Sequence, residues 1–192
     1  MIAIVFWLWA DPTGRRAGLY GPADVARMAR SVSRNLTLPH EIVCITDYPA
    51  HEFPSDIRVI PLWDDFRHLG GCYTRLRSFA PDMAEIIGNR FIWLDIDCVI
   101  TGNLDKIFSR QEDAVFWRSC TVANLPMNGS MVLQTAGARA QVWSEFRGAE
   151  SAKITRGLQM IGTDQAWIAY LLGPDEAVWT SERDGVCAFR RD

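Results

Sequence analysis

"FIWLDIDCVITGNL", residues 91–104, runs four apolar side chains (Phe91, Ile92, Trp93, Leu94) into two aspartates one residue apart. The apolar run has the length and composition of a buried strand. Carboxylates are costly to bury unpaired, and like charges this close repel unless a positive group lies between them. With a strand period of two, Asp95 and Asp97 fall on one side, and a bend at the strand tip lets both converge on one ion. Hard oxygen ligands of this kind suit Mg²⁺ or Mn²⁺, which also take phosphate oxygens and water. The alternative is local: one aspartate caps the following turn and the other is solvated.

Outward from this stretch, apolar strands alternate with helical patterns. "IAIVFWLWA" at the start reads as a fully buried first strand, followed by the Gly/Pro-rich "DPTGRRAGLYGP". It is far shorter than the ~20 apolar residues of a spanning helix and lacks the basic flank of a signal peptide. The expected protein is therefore cytoplasmic, without a transmembrane segment. "ADVARMARSVSRNL" places Val25, Met28, Ala29, Val32 and Leu36 at helical spacing, with Pro22 suited to the first turn. "EIVCITD" and "IRVIPL" read as strands, "CYTRLRSFAPDMAEIIG" as a helix interrupted at Pro81 and stopped by Gly88, and "AVFWR" and "SMVLQ" as further short strands. "GARAQVWSEF" and "DQAWIAYLL" close the pattern as helices. This predicts an α/β fold, a single domain around a central, mostly parallel sheet flanked by helices. In such sheets ligands gather at the carboxyl ends of strands, where Ala10, Asp11, Asp47, Asp95 and Asp97 fall.

Composition narrows the function. Twenty basic and 23 acidic residues give a net charge of −3 with no basic block, which argues against nucleic acid as a partner. The five cysteines form no CxxC pair, so a zinc knuckle or disulfide framework is disfavoured and inert thiols in a reducing compartment are expected. Eight tryptophans are mostly core aromatics, with some suited to line a cleft for a base or a sugar ring.

Two other stretches carry polar groups with a use. "MNGSMVLQ" sets Asn128 and Gly129 ahead of a strand, where an amide beside a residue without a side chain can approach a sugar hydroxyl; a plain turn explains it equally well. "GTDQAWIAYLL" sets Asp164 at a helix start, where an N-cap is the default explanation, and Gln165 beside it has no structural necessity.

With these stretches in order, the chain resembles GT-A fold nucleotide-diphosphosugar glycosyltransferases of the family 8-like group. "RFIWLDIDCVITGNLDKIF" is similar to that group's strand and DxD motif, "NGSMVL" to its Asn-containing segment, "TDQAWIAYL" to its Asp-Gln helix start, and "CYTRLRSF" to the helix before the DxD strand. The resemblance implies a metal-dependent hexosyltransferase that moves a hexose from a UDP-sugar to a saccharide or glycolipid acceptor, with retention. It implies Mn²⁺ (or Mg²⁺) on Asp95 and Asp97, with Ile96 between them in the donor site, and Arg75 facing the diphosphate or base. Asn128, Gly129 and Asp164 would bind the donor sugar, Gln165 would lie near the anomeric carbon, and Ala10 and Asp11 near the uracil. Asp164, Gln165 and Asn128 are thus the expected catalytic group. Members of the group bring a third metal ligand from a C-terminal His-x-x-Gly-x-x-Lys segment. His40, His51 and His68 all precede the DxD, so residues 1–192 are expected to form one domain lacking that segment. Two alternatives remain: a sugar-nucleotide-binding domain without turnover, and a haloacid dehalogenase-like phosphatase, for which "LDIDCVIT" supplies the aspartates and Lys153 a later lysine.

Overall fold

The computed structural model describes residues 1–10, 19–118 and 127–188. Asp11 lies outside the described residues. Seven strands form one sheet: β1 (Ile2–Leu8), β2 (His40–Thr46), β3 (Ile57–Pro61), β4 (Arg90–Leu94), β5 (Ala114–Trp117), β6 (Asn128–Thr135) and β7 (Val178–Trp179). Their order is β3-β2-β1-β4-β6-β5-β7. Every neighbouring pair is parallel except those made by β6, which runs against both β4 and β5. The mostly parallel α/β sheet of the sequence reading is therefore present, with one reversed strand inside it.

All seven residues of β1 are buried, which is why its sequence is a continuous apolar run rather than an alternating one. Alternate side chains feed two cores. Ile4 and Phe6 pack with Ile92, Leu94 and helix α1 (Pro22–Asn35) on one face, and Val5 and Trp7 pack with Phe91, Trp93, Leu76 and Phe79 on the other. Each such side chain contributes about 1.5–3 kcal/mol by leaving water. Helix α1 turns Val25, Met28, Ala29 and Val32 inward; Pro22 opens it, and Asp24 accepts a hydrogen bond from the Gly21 N–H at 2.8 Å.

The remaining helices are α2 (Met83–Ile86), α3 (Asp105–Phe108), α4 (Gln141–Ser144), α5 (Ala149–Gly157), α6 (Asp164–Leu172) and α7 (Ser181–Asp184). Two helical expectations change. The stretch from Tyr73 to Phe79 is a 3₁₀ segment, separated from α2 by Ala80, Pro81 and Asp82, because six of its seven side chains are buried and the tighter winding threads them between sheet and helices. "GARAQVWSEF" yields only the single turn α4, and the longer helix of that region, α5, follows Gly148. Among the described residues no helix is long and apolar enough to cross a membrane.

Candidate active site

The reversed strand β6 creates the site. Because β6 runs against β4, its first residues lie beside the carboxyl end of β4: Leu94 faces Met131, and the Asp95 N–H donates to the Ser130 carbonyl at 2.8 Å. β4 itself ends at Leu94, so the two aspartates lie in the turn that follows, closed by the Cys98 N–H on the Asp95 carbonyl. The Asn128-Gly129 segment, the aspartate turn and the start of α6 thereby meet at one end of the sheet.

Arg75 is the hub of this meeting. Its Nε and Nη2 both reach Asp164 Oδ2 at 2.8 Å, and its Nη1 donates to Asp95 Oδ1. Arg75 is 7% exposed and Asp164 2%. Burial works against the Arg75 charge, but the Asp164 and Asp95 carboxylates outweigh it and hold the guanidinium charged, its pKa well above the ordinary value. Burial pushes the Asp164 carboxyl up from its ordinary value, opposed by the Arg75 guanidinium. An arginine fork is the side chain best suited to hold two carboxylates in fixed geometry. Asp164 is not an N-cap: Thr163 takes that position, and Asp164, the first residue of α6, points to Arg75. The positive group next to Asp95 in the folded chain is thus the Arg75 side chain.

The loop before the 3₁₀ segment is drawn against α6. Gly71 has φ +63°, and a Cβ there would stand 2.5 Å from Thr163 Cγ2; the Cys72 N–H donates to Thr163 Oγ1 at 2.9 Å. At Gly129 the space for a side chain is tight. A Cβ there would lie 3.2 Å from both Arg75 Nη2 and Asp164 Oδ2. The Gly129 carbonyl accepts from the buried indole of Trp93 at 2.8 Å, and its N–H donates to Gln165 Oε1 at 3.4 Å. Gln165 also donates to the Ile161 carbonyl, so its side chain lies over the helix start beside Gly129. Asn128 Oδ1 accepts from the Ser130 N–H at 2.8 Å. Its amide NH₂ makes no hydrogen bond among the described residues.

Asp97 has a different setting. It is exposed, and its carboxylate accepts from Tyr20 Oη at 3.4 Å. Ile96 is half-buried and packs on the α1-side core. Cys98 is half-buried, and burial, reinforced by Asp95 and Asp97, pushes its thiol up to about 12; burial does the same to Cys44. In both the neutral thiol is favoured, and Cys187 is exposed. Ala10 is exposed at the end of β1, its N–H 3.3 Å from both Asp47 oxygens, and Arg67 Nη2 donates to Asp47 Oδ2 at 2.7 Å. A cavity of about 310 Å³ lies beside them over β2 and β3, lined by Thr46, Asp47, Tyr48, Val59, Pro61 and Leu62.

The donor chemistry at Asp95 and Asp97 is all hard oxygen, and one Asp95 oxygen is committed to Arg75. Among the described residues no group of three or more His, Cys, Asp or Glu is placed to hold a metal ion, and His68 is exposed in the turn Arg67–Leu69. Such a pair fits a divalent cation that draws its other ligands from water and phosphate, as Mg²⁺ does. It does not fit a cation needing a complete protein cage.

Of the expected site residues, Arg75, Asp95, Gly129, Asp164 and Gln165 come together through direct contacts, with Asn128 joined to them through Ser130, whereas Asp97, in the same turn as Asp95, contacts Tyr20. Ala10 lies at the end of the neighbouring strand. Sequence reasoning missed Tyr20, Trp93 and Thr163. Trp93 carried a readable signal, since a buried indole N–H needs an acceptor; the partners of Tyr20 and Thr163 are 77 and 91 residues away in the chain.

The architecture is that of the GT-A glycosyltransferase fold. The chain is similar to the glycosyltransferase GlyE of Streptococcus pneumoniae TIGR4, with a TM-score of 0.63 at 17% identity over 95% of this chain and 46% of GlyE, and 0.58 at 18% for the apo form. It is also similar to the galactosyltransferase LgtC in complex with donor and acceptor sugar analogs, with a TM-score of 0.59 at 14% identity over 93% of this chain and 73% of LgtC. The chain thus spans about half the length of GlyE. No family model matches the sequence, and no curated protein does. At these identities the likeness carries the fold.

Proposed function

We propose that this domain is a glycosyltransferase that binds a UDP-hexose and passes the hexose to a hydroxyl of a saccharide or glycolipid acceptor, with retention. The observation that carries this reading is the Arg75 clamp, which brings Asp95, Asp164 and the Gly129 backbone to one point at the carboxyl end of the sheet. In it, Asp164 and Asn128 orient the donor sugar hydroxyls, and Gln165 lies over the reacting face. Fixed polar groups of this kind contribute mainly by positioning. Asp95 and Asp97 would hold Mn²⁺ or Mg²⁺, and such an ion supplies charge neutralisation for a departing diphosphate.

The phosphatase reading loses its support. The solved structures the chain resembles are glycosyltransferases, and Lys153, the lysine that reading needs, is exposed on α5. Binding without turnover remains the competitor, favoured by the two-carboxylate donor set.

Calorimetric titration of UDP with and without Mn²⁺, followed by UDP release from UDP-hexose, tests the reading. UDP binding is expected to require Mn²⁺, and Asp97→Asn to weaken it by at least about 10–100-fold while the folded state, with an exposed side chain changed, is retained. Unchanged UDP affinity in that variant removes the metal role. Mn²⁺-dependent binding with no turnover of any UDP-hexose leaves a binding domain only.

A further inference from the structure

Helix α5 buries its small residues and exposes its large apolar one. Ser151, Ala152 and Thr155 face the protein, while Ile154 is 40% exposed. Leu158, at the end of the helix, is 57% exposed, and Ile161 beyond it 59%. A helix that only serves the fold turns its large apolar side chains towards the core, so this arrangement is the reverse of the usual one. Ile154 and Leu158 are four residues apart and share one stripe of the helix surface. The chain then turns sharply: the Gln159 N–H donates to the Arg156 carbonyl and the Met160 N–H to the Thr155 carbonyl, both at 3.0 Å. This is the Schellman ending of a helix, with Gln159 at φ +56° where glycine is usual. Leu158 and Ile161 stand exposed on either side of this fixed turn.

The same stretch is cationic. From Ser151 to Thr163 the chain carries Lys153 and Arg156 and no acidic residue, in a protein of net charge −3. Both cations are exposed, and among the described residues neither makes an ion pair or a hydrogen bond. Glu150, one turn before Ile154, is the acid of this helix, and Asp164, after the turn, is buried against Arg75. A helix end followed by a turn is convex, whereas a peptide strand or helix is received in a groove or on a sheet edge. A second copy meeting this surface about a two-fold axis would bring the same cations together. An anionic lipid surface takes both features: aliphatic side chains enter the boundary between headgroups and acyl chains, and cations meet the headgroup phosphates.

We infer that α5 and the turn after it dock the domain on an anionic lipid surface, with Ile154, Leu158 and Ile161 entering the headgroup boundary and Lys153 and Arg156 meeting lipid phosphates. The docked surface runs directly into the site, because the Ile161 carbonyl accepts from Gln165 Nε2 at 3.3 Å. On the proposed glycosyltransferase reading, on which this one consequence rests, the acceptor is presented from the lipid surface and is a glycolipid rather than a free saccharide.

The test is co-sedimentation of the full chain, without nucleotide or metal, with vesicles of phosphatidylcholine alone and of phosphatidylcholine and phosphatidylglycerol in equal parts. At low salt the mixed vesicles are expected to bind at least about tenfold more tightly than the neutral ones, and high salt is expected to release the chain. Lys153→Glu should weaken binding to the mixed vesicles at least about fivefold, and Leu158→Ser combined with Ile161→Ser about tenfold. These side chains are exposed, so circular dichroism is expected to show folded variants. Absence of binding to mixed vesicles at low salt, equal binding to both kinds, or wild-type binding by the variants overturns the docking surface and leaves the donor reading standing, since UDP titration tests that reading by itself. Concentration-dependent dimerisation abolished by Leu158→Ser assigns the patch to a second copy and overturns the lipid surface. A free saccharide glycosylated as fast as a vesicle-borne glycolipid overturns the acceptor consequence alone.

Discussion

Asp164 and Asp97 are carboxylates at the same end of one sheet, yet the protein treats them in opposite ways. Asp164 is buried at the start of α6 with two nitrogens of Arg75 on one oxygen, while Asp97 is exposed in a turn with a single long contact to Tyr20. Asp95 shares features of both: it gives one oxygen to Arg75 and is half-buried in the same turn as Asp97. A charge deep in the protein is tolerated because a fixed counter-charge accompanies it; a charge on the rim keeps its oxygens for something that arrives. This end of the sheet is thus graded, from a buried ion-paired clamp to an exposed turn.

Removing the clamp tests its buried half with the largest effect. Arg75→Leu leaves the Asp164 carboxyl buried without its partner and is expected to cost about 3–5 kcal/mol in urea unfolding at neutral pH. Burial, reinforced by the Asp95 charge and opposed by the Gln165 N–H, then raises the Asp164 pKa above the unfolded value. A group raised in this way favours folding in its protonated form, so the variant's deficit should shrink on acidification towards the ordinary carboxylate range and grow as pH rises. A deficit independent of pH between 5 and 8 contradicts the assignment of the buried charge.

Gly129→Ala sharpens the comparison at the seam between the two halves. The new Cβ would stand 3.2 Å from Arg75 Nη2 and Asp164 Oδ2, so the clamp must shift by a few tenths of an ångström, an overpacking expected to cost about 1 kcal/mol. UDP-hexose affinity is expected to fall while Mn²⁺-dependent UDP affinity changes little, because the rim is untouched. Equal losses for both ligands would place Gly129 at the rim instead.

Asn128→Ala is the mildest change. It removes the hydrogen bond to the Ser130 N–H, about 1 kcal/mol of stability. Its free amide is the group expected to meet the sugar, so titration should show UDP-hexose weakened more than UDP. Equal weakening removes Asn128 from the sugar subsite.

The strands were legible because a parallel strand covered on both faces must be apolar throughout, as "IAIVFWL" and "FIWL" are. Helix α1 was legible from its spacing and from Pro22. The direction of β6 was not, since "SMVLQ" reads the same whichever way it runs, and that direction is what brings Asn128 and Gly129 to the aspartates. The winding of Tyr73–Phe79 was equally hidden, because the tight turn answers to neighbours on three sides rather than to its own pattern.

By itself, then, the sequence determined the alternation of buried strands and helices, the position of the aspartates at the end of one of them, and the residue types available at the site. Apolar periodicity and charge are local properties, and they can be read along a chain. Only the tertiary structure decided that Arg75 joins Asp95 to Asp164 and that Trp93 holds Gly129. These contacts link residues 20 to 89 positions apart in the first case and 36 in the second. Their formation depends on how the sheet is threaded, which no stretch of the chain encodes alone.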